Sequence, residues 1–553
     1  MQPWDREVDV LVVGTGAAGL TAAITAADAG LEVLVLESTD KWGGSTNLSG
    51  GGLWMPANPL MPESSDSVEE ALTYLEACVG DVGPASSPER RRAFVETVPE
   101  AMRFLEGLGV RWAAAKDYPD YYPDLPGGKI GRAVEVEPFD VSVLGDWFDR
   151  SRSSEGLPPI PVMTDDVWLL ARAWSTITGF VRGVQLVLRT ATMAARGERR
   201  QGMGSGLVAS LMHIVRRQGT EVLLDAPLTE LVTDVDGAVV GGVARRRDGF
   251  GLRIAARRGV VLGAGGFAHN DRLRKEHHGI PAGWSSAADG DVGSVIELAA
   301  DVGARLELMD DAWWGVSVPD PRGGKPMFIL AERSLPHGLI VDQQGDRYVN
   351  ESTSYVDVGH AMLARDAEVA ALPSWLVVDA RHRRRYLFTA FLEGTKHLEA
   401  AGVVRTADTV ECLAEALDMD PARLRATIDR FNGFARTGVD EDFGRGATAY
   451  DRYYSDPTVR PNPNLGTVEV GPFTAVQLVP GDLGTKGGVL TDEDGRVLRD
   501  DLSPIPGLYA SGNTSASVMG RTYPGAGSTI GPAVVFSYRG ARHLAGADAV
   551  PAD

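Results

Sequence analysis

Near the start of the chain the apolar residues change period three times. Val8-Asp9-Val10-Leu11-Val12-Val13 is a β-branched run with little alternation, which predicts a short strand buried on both faces. Gly14-Thr15-Gly16-Ala17-Ala18-Gly19 breaks the run, residues 20–30 carry apolar side chains at helical spacing, and Leu31-Glu32-Val33-Leu34-Val35-Leu36 returns to strand and stops at Glu37. That order predicts a βαβ unit built for a dinucleotide. Gly14 permits the tight turn, Gly16 lets a diphosphate reach the backbone, and Gly19 lets helix lie against strand. Ala18 sits in this turn, at a helix N-terminus whose free N–H groups and positive dipole end suit a phosphate; Glu37 is placed to accept hydrogen bonds from a ribose. Residues 10–27 are uncharged over nearly membrane-spanning length, but they read as strand, glycine turn and helix, so no span is expected. The N-terminus has no basic stretch followed by an apolar one, so no secretory signal is expected either.

A second small-residue block follows Glu37: Lys41-Trp42-Gly43-Gly44-Ser45-Thr46, then Leu48-Ser49-Gly50-Gly51-Gly52. A nicotinamide site rarely needs such a loop. A flavin ring must lie flat against backbone, and only glycine and small hydroxylated residues permit that approach. Gly44, Ser45, Thr46, Gly51 and Gly52 are therefore candidate flavin contacts. The block resembles the FAD-binding segment of the fumarate reductase-like flavoprotein superfamily. Members that attach FAD covalently use a histidine near this loop; none stands here, so the resemblance implies non-covalent FAD.

Further pieces of the same domain lie far along the chain. Residues 260–267 read as another buried strand ending in a turn at Ala264 and Gly265. Asp291 precedes an amphipathic helix, either as its N-cap or as an FAD contact. Residues 507–513, ending at Gly512 and Asn513, resemble the strand that closes the flavin domain in this superfamily. Ser528-Thr529-Ile530-Gly531-Pro532 opens the last helix, whose N-terminus at Thr529 and Ile530 can stabilise negative charge on a flavin. The expected architecture is α/β: a discontinuous Rossmann-like FAD-binding domain over 1–282 and 484–553, with an inserted α+β substrate domain over 283–483. An excursion over about 123–200, irregular as far as 165, interrupts the first part as a lid or surface segment.

Composition narrows the function. Among 553 residues, 54 Lys+Arg stand against 75 Asp+Glu, a net charge of −21 that argues against nucleic acid as a partner. Cys78 and Cys412, the 2 cysteines, exclude a disulfide scaffold or a four-cysteine metal site and fit a reducing compartment, most simply cytoplasm. The 9 histidines show no metal-ligand spacing, His277-His278 included, so no metal is expected. No nucleophile elbow of a serine hydrolase is present.

Three tyrosine-bearing segments remain: Tyr118-Pro119-Asp120-Tyr121-Tyr122-Pro123, Arg347-Tyr348-Val349-Asn350-Glu351-Ser352-Thr353-Ser354-Tyr355, and Gly520-Arg521-Thr522-Tyr523-Pro524-Gly525-Ala526-Gly527. Together with Pro480-Gly481-Asp482-Leu483-Gly484-Thr485-Lys486-Gly487-Gly488 they resemble the 3-ketosteroid Δ1-dehydrogenases nearly end to end, least between about 130 and 200. The resemblance places the family's tyrosines on Tyr121 (with Tyr122 the alternative), Tyr355 and Tyr523, and its backbone donor on Gly527. Ser354 departs from the pattern, standing where proline commonly precedes the middle tyrosine. Arg347, Asn350 and Glu351 read as turn-stabilising groups.

The implied chemistry is coherent. Removing a hydride from C1 and a proton from C2 beside a ketone requires the carbonyl to be polarised. Tyr523 and the Gly527 N–H can act as the oxyanion hole, and Tyr355, helped by Tyr121, can take the proton while the flavin takes the hydride. The implied partners are a 3-ketosteroid and an external electron acceptor such as a quinone. Trp313, Trp314, Met327, Phe328, Ile329 and Leu330 are either pocket wall or plain core. Residues 166–200, with Arg172, Arg182, Arg189 and Arg196 among apolar residues, read as a lid or packing helix, the other reading being a basic surface resting on a membrane. Rival functions are desaturation at another steroid bond, fumarate-type reduction and a non-enzymatic flavin module. Dicarboxylate reduction needs several cationic groups that the tyrosine motifs do not supply.

Overall fold

A computed structural model describes residues 3–62, 65–115, 117–155, 160–245 and 249–546. The uncharged run at the N-terminus forms the strand Arg6–Val13, with Val10, Leu11 and Val12 fully buried, as an interior parallel strand requires. It lies inside an eight-stranded sheet whose main path runs Arg496–Leu498, Pro504–Ala510, Gly251–Leu262, Arg6–Val13, Val33–Leu36, Glu221–Leu223. The last five of these are mutually parallel. The hairpin Leu228–Thr233 and Val239–Arg245 extends Gly251–Leu262 antiparallel. Strands from both ends of the chain thus complete one sheet, the discontinuous Rossmann-like layer expected from sequence. The parallel strands all deliver their following turns to one edge, where such folds bind ligands. Helices Ala17–Asp28 and Ile530–Leu544 pack together on one face.

A second sheet has six strands, in the order Met327–Phe328, Ala312–Val318, Phe473–Thr485, Ser374–Val378, Gly338–Val341, with Val404–Ala407 also on Phe473–Thr485. Its pairings are antiparallel. Helix Tyr355–Glu368 lies on Ala312–Val318 so closely that a Cβ on Gly359 would come within 2.3 Å of the Trp314 Cβ. This is the α+β insertion.

One local expectation changes, and one pair of alternatives narrows. The segment expected to be an irregular excursion contains the buried strand Ala133–Val136, the centre of a three-stranded sheet between Leu53–Trp54 and Trp112–Ala114. The arginine-bearing helix Ile177–Ala195 shows the reverse of a basic outer face. Arg182 and Arg189 turn inward to the buried carboxylate of Asp166, at 3.3 and 2.6 Å. Ile177 and Val187, by contrast, stand 84% and 67% exposed. Among the described residues no helix is long and apolar enough to cross a membrane.

Candidate active site

The nucleotide cradle is assembled by close backbone packing. A Cβ on Gly19 would lie 1.9 Å from the Gly14 carbonyl oxygen, so the first helix can meet its turn only without a side chain there. The helix begins at Ala17, earlier than periodicity suggested, with Gly16 at its N-cap and no side-chain cap. Thr46 Oγ1 accepts from the Ala17 N–H at 3.1 Å, which joins the second glycine block to this N-terminus. Gly44, Ser45 and Thr46 lie in the short helix Gly44–Leu48, and a Cβ on Gly44 would face the Gly16 Cα at 3.5 Å. Glu37, buried at the end of its strand, accepts from Thr15 Oγ1 at 2.5 Å and from the Thr39 N–H at 3.1 Å. Thr15 Oγ1 in turn accepts from the Gly43 N–H at 2.9 Å.

The distant pieces arrive at the same place. The Ala264 N–H donates to Thr514 Oγ1, and Gly265 abuts Asp291, whose Oδ2 accepts from Ser45 Oγ at 2.8 Å. Asp291 is therefore not an N-cap. Gly293, in the left-handed region, holds that position for the helix Ser294–Asp301. Ala18 and Gly512 face each other, a Cβ on Gly512 lying 3.1 Å from that of Ala18; Asn513 accepts from Trp313 Nε1 at 3.0 Å. Thr529 is the N-cap of Ile530–Leu544, again with no side-chain cap. Gly52 lies beside the Ala526 backbone. Gly51 has an additional reason to be glycine: a Cβ there would meet the Met203 carbonyl carbon at 2.1 Å. Uncapped helix ends, small residues and a buried carboxylate fit a dinucleotide with a flat ring system.

Against this cradle stands a cluster of aromatic hydroxyls. The Tyr121 and Tyr523 rings stack at 5.1 Å between centroids and 18° between planes; Tyr355 meets Tyr523 at 4.9 Å and Tyr121 edge-on at 5.6 Å. Tyr121 is held by its neighbours. Asp120 accepts from Trp54 Nε1 at 2.7 Å and from Arg132 Nη1 at 2.8 Å, while the Tyr121 N–H donates to the Pro524 carbonyl at 2.9 Å, beside Tyr523. Tyr122 turns elsewhere and donates to Asp357 Oδ1 at 3.0 Å. Tyr355 opens the helix Tyr355–Glu368, preceded by Ser354 at φ −45° and ψ 133°. That is the extended conformation a proline would impose, so the serine preserves the approach of the chain. Gly527 has φ +92°, and a Cβ there would sit 2.2 Å from the Gly52 carbonyl oxygen, which brings the tyrosine loop onto the second glycine block.

Burial governs the phenols. It raises Tyr523, while the Tyr355 and Thr529 side chains and the Gly527 backbone pull it down. Burial also raises Tyr355 well above the ordinary tyrosine range, reinforced by Tyr523; Tyr121 acts in the opposite direction. Trp313 and Phe328 meet Tyr523 and Tyr355 at near-right angles, with centroids 5.4 and 5.2 Å apart. Of the other apolar candidates, Trp314 and Ile329 are core, Leu330 is partly buried, and Met327 is exposed. Arg347 and Glu351 form a buried ion pair that also takes in Asp440 and Arg445, and Asn350 donates to Asp451. These contacts tie the turn at 347–351 to residues 440–451.

The family model described as FAD binding domain matches residues 9–530. The 3-oxosteroid 1-dehydrogenase of Mycolicibacterium smegmatis is 44% identical, the match covering 98% of this chain and 97% of that protein. The chain belongs to the 3-ketosteroid Δ1-dehydrogenase family. It is an FAD-dependent oxidoreductase. The crystal structure of 3-ketosteroid Δ1-dehydrogenase from Sterolibacterium denitrificans in complex with 1,4-androstadiene-3,17-dione superposes with a TM-score of 0.91 at 36% identity, covering 98% of this chain and 100% of that one. A 4-oxocyclohex-2-ene-1-carboxylate 5-dehydrogenase of Sinomonas cyclohexanicum is 34% identical over 97% of this chain and 93% of its own.

Sequence reasoning missed part of this family member's hydroxyl cluster. Tyr450 packs 4.3 Å from Tyr121, and Tyr453 packs 4.5 Å from Tyr118. Tyr118 hydrogen-bonds to Tyr454 and lies 3.4 Å from the Tyr121 hydroxyl. The spacing Tyr450-x-x-Tyr453-Tyr454 puts all three on one side of a helical turn, and that was the available signal. Arg333 was missed as well. It is fully buried, donates from Nη1 to the Glu351 carbonyl, and has no hydrogen-bond partner among the described residues at Nε or Nη2. Its charge favours ionisation of Tyr118 and Tyr450. Among the described residues no group of His, Cys, Asp and Glu could hold a metal ion.

Proposed function

We propose that the enzyme desaturates the C1–C2 bond of 3-ketosteroids, converting a 4-ene-3-one into a 1,4-diene-3-one. Tyr523 O–H and the Gly527 N–H hold the C3 carbonyl oxygen as an oxyanion hole, each donor contributing about 3–4 kcal/mol as the enolate develops. Tyr355 removes the C2 proton, and a hydrogen bond from Tyr121 stabilises the phenolate that does so. Gly14, Gly16, Ala18, Gly19 and Glu37 bind the adenosine and diphosphate of FAD. Gly44, Ser45, Thr46, Gly51, Gly52, Ala264, Gly265, Asp291, Gly512, Asn513, Thr529 and Ile530 surround its ring end, all without covalent attachment. FAD, when bound, supplies the acceptor for the hydride that leaves C1. Trp313 and Phe328 form part of the apolar wall.

The observation that carries this reading is the convergence of Tyr121, Tyr355 and Tyr523 from three distant segments, beside a Gly527 packed onto the flavin loop. The test is anaerobic mixing with a 4-ene-3-one steroid. Prompt bleaching of the flavin and a 1,4-diene product are expected. Bleaching only by 4-oxocyclohexanecarboxylate, or reoxidation of the dithionite-reduced enzyme by fumarate alone, would sink it.

Electrons then pass to an external acceptor of the quinone class. The outward apolar residues Trp174, Ile177, Phe180, Val187 and Leu188 suit contact with a membrane surface, where steroid and quinone both partition. The unpaired Cys78 and Cys412 suit the reducing cytoplasm.

A further inference from the structure

Lys486 is a buried cation close to the tyrosine loop. Its side chain is 0% exposed, and Nζ donates to the Thr522 carbonyl at 3.0 Å, the peptide immediately before Tyr523. Nζ also lies 3.4 Å from Asp311 Oδ2 and 4.8 Å from the centroid of the Trp313 ring, which meets the Tyr523 ring at a near-right angle. Asp311 is itself buried, and its other oxygen is shared. Oδ1 accepts from Trp314 Nε1 at 2.8 Å and contacts His360 Nε2 at 2.7 Å. His360 belongs to the helix Tyr355–Glu368, which Tyr355 opens. One carboxylate therefore ties the segment carrying Tyr523 to the helix carrying Tyr355. The main chain repeats the link, since the Lys486 N–H donates to the Asp311 carbonyl at 3.0 Å.

We infer that Lys486, Asp311 and His360 form a positioning triad that fixes the carbonyl-polarising phenol relative to the proton-abstracting one. The inference rests on the reaction proposed above. Burying an ammonium carries a desolvation cost that an apolar side chain of similar length would avoid, so stability alone is a weak reason for a lysine here. Its geometric use is stronger. The Thr522 carbonyl is held by this donor, and a displacement of about 1 Å in a group that aligns reacting atoms costs roughly a hundredfold in rate. Burial brings Lys486 down to about 8, while Asp311 pulls it up.

The test compares Lys486→Met, His360→Leu and His360→Gln on the FAD-loaded enzyme, with flavin content and melting temperature measured alongside. His360 is partly exposed, so its variants leave the buried core intact even if Lys486→Met folds poorly. Lys486→Met and His360→Leu are expected to lower kcat at least about tenfold while KM moves less than about threefold. His360→Gln, which keeps a donor at similar reach, should restore most of the rate. The double variant Lys486→Met/His360→Leu should lose less than the product of the two single losses, because both act through Asp311. Near-normal kcat in both single variants, or a kcat that falls only in proportion to lost flavin, would overturn the triad and leave the reaction reading intact. A wild type that bleaches with no 3-ketosteroid would overturn both.

Discussion

Tyr355 and Tyr523 belong to different segments, yet their rings meet with centroids 4.9 Å apart. In the proposed reaction one hydroxyl serves a carbonyl oxygen and the other serves the adjacent carbon of the same six-membered ring. Tyr523→Phe and Tyr355→Phe remove only an oxygen each and leave the aromatic packing in place. Both variants should retain FAD and lose turnover by at least about a hundredfold, in line with removal of an oxyanion donor or a general base. Steady-state kinetics with flavin absorbance as the loading control decides this. Near-normal rates in either variant would remove that residue from the mechanism.

Tyr121 and Tyr122, adjacent in sequence, have different surroundings. Tyr121 stacks on Tyr523 and favours ionisation of Tyr355, whereas Tyr122 is engaged by Asp357. Burial holds Tyr355 well above the ordinary tyrosine range, so the phenolate fraction, and kcat with it, should rise with pH on the alkaline side. Tyr121→Phe should reduce kcat about tenfold at neutral pH and move the rising limb to higher pH, since the lost hydrogen bond favoured the phenolate. Tyr122→Phe should leave the limb where it is. A pH–rate profile of the three proteins distinguishes them.

The cradle was legible because its signals are local. Strand, turn and helix follow one another in sequence, and Gly19 is glycine for a contact made only five residues away, at Gly14. The motifs singled out Tyr121, Tyr355 and Tyr523, and the structure brings their rings together. Tyr450, Tyr453 and Tyr454 were not legible, because their meaning comes from tertiary contact with Tyr118 and Tyr121 across the insertion. Asp291 was ambiguous because an acid before a helix usually caps it. Here Gly293 takes the cap position, and the carboxylate is drawn to Ser45, far away in sequence. The arginines of the helix Ile177–Ala195 leave a packing helix and a basic surface both open in sequence, and the buried Asp166 that engages two of them lies on the preceding helix. The strand Ala133–Val136 was hidden by the Pro- and Gly-rich residues before it, and only its pairing with Leu53–Trp54 and Trp112–Ala114 specifies it.

Gly527→Ala tests the backbone donor. At φ +92° any side chain is strained, and the new Cβ would collide with the Gly52 carbonyl, so the two loops must part. A cost of about 1–3 kcal/mol in stability is expected. Activity should fall further than stability does, because the N–H moves away from Tyr523 and Gly52 moves within the flavin loop. Calorimetry with parallel turnover measurements checks both. An alanine variant with full activity would mean that the Gly527 N–H is not part of the oxyanion hole.

Asp291 gives the cradle a pH signature of definite sign. Burial raises its carboxyl to about 7, while the Ser45 hydrogen bond and the charge of Arg152 pull it down. An unfolded aspartate ionises near 4, so between about 4 and 7 the unfolded chain carries a charge that the folded protein resists. The stability contributed by this group is fully present below that window and is lost as pH rises through it. Asp291→Asn copies the neutral form and still offers Ser45 an acceptor. Its melting temperature should therefore gain on the wild type as pH is raised from about 5 to about 8, with FAD retained throughout. A variant that instead falls behind the wild type at the higher pH would show that the ionised carboxylate makes a stabilising contact in the folded enzyme.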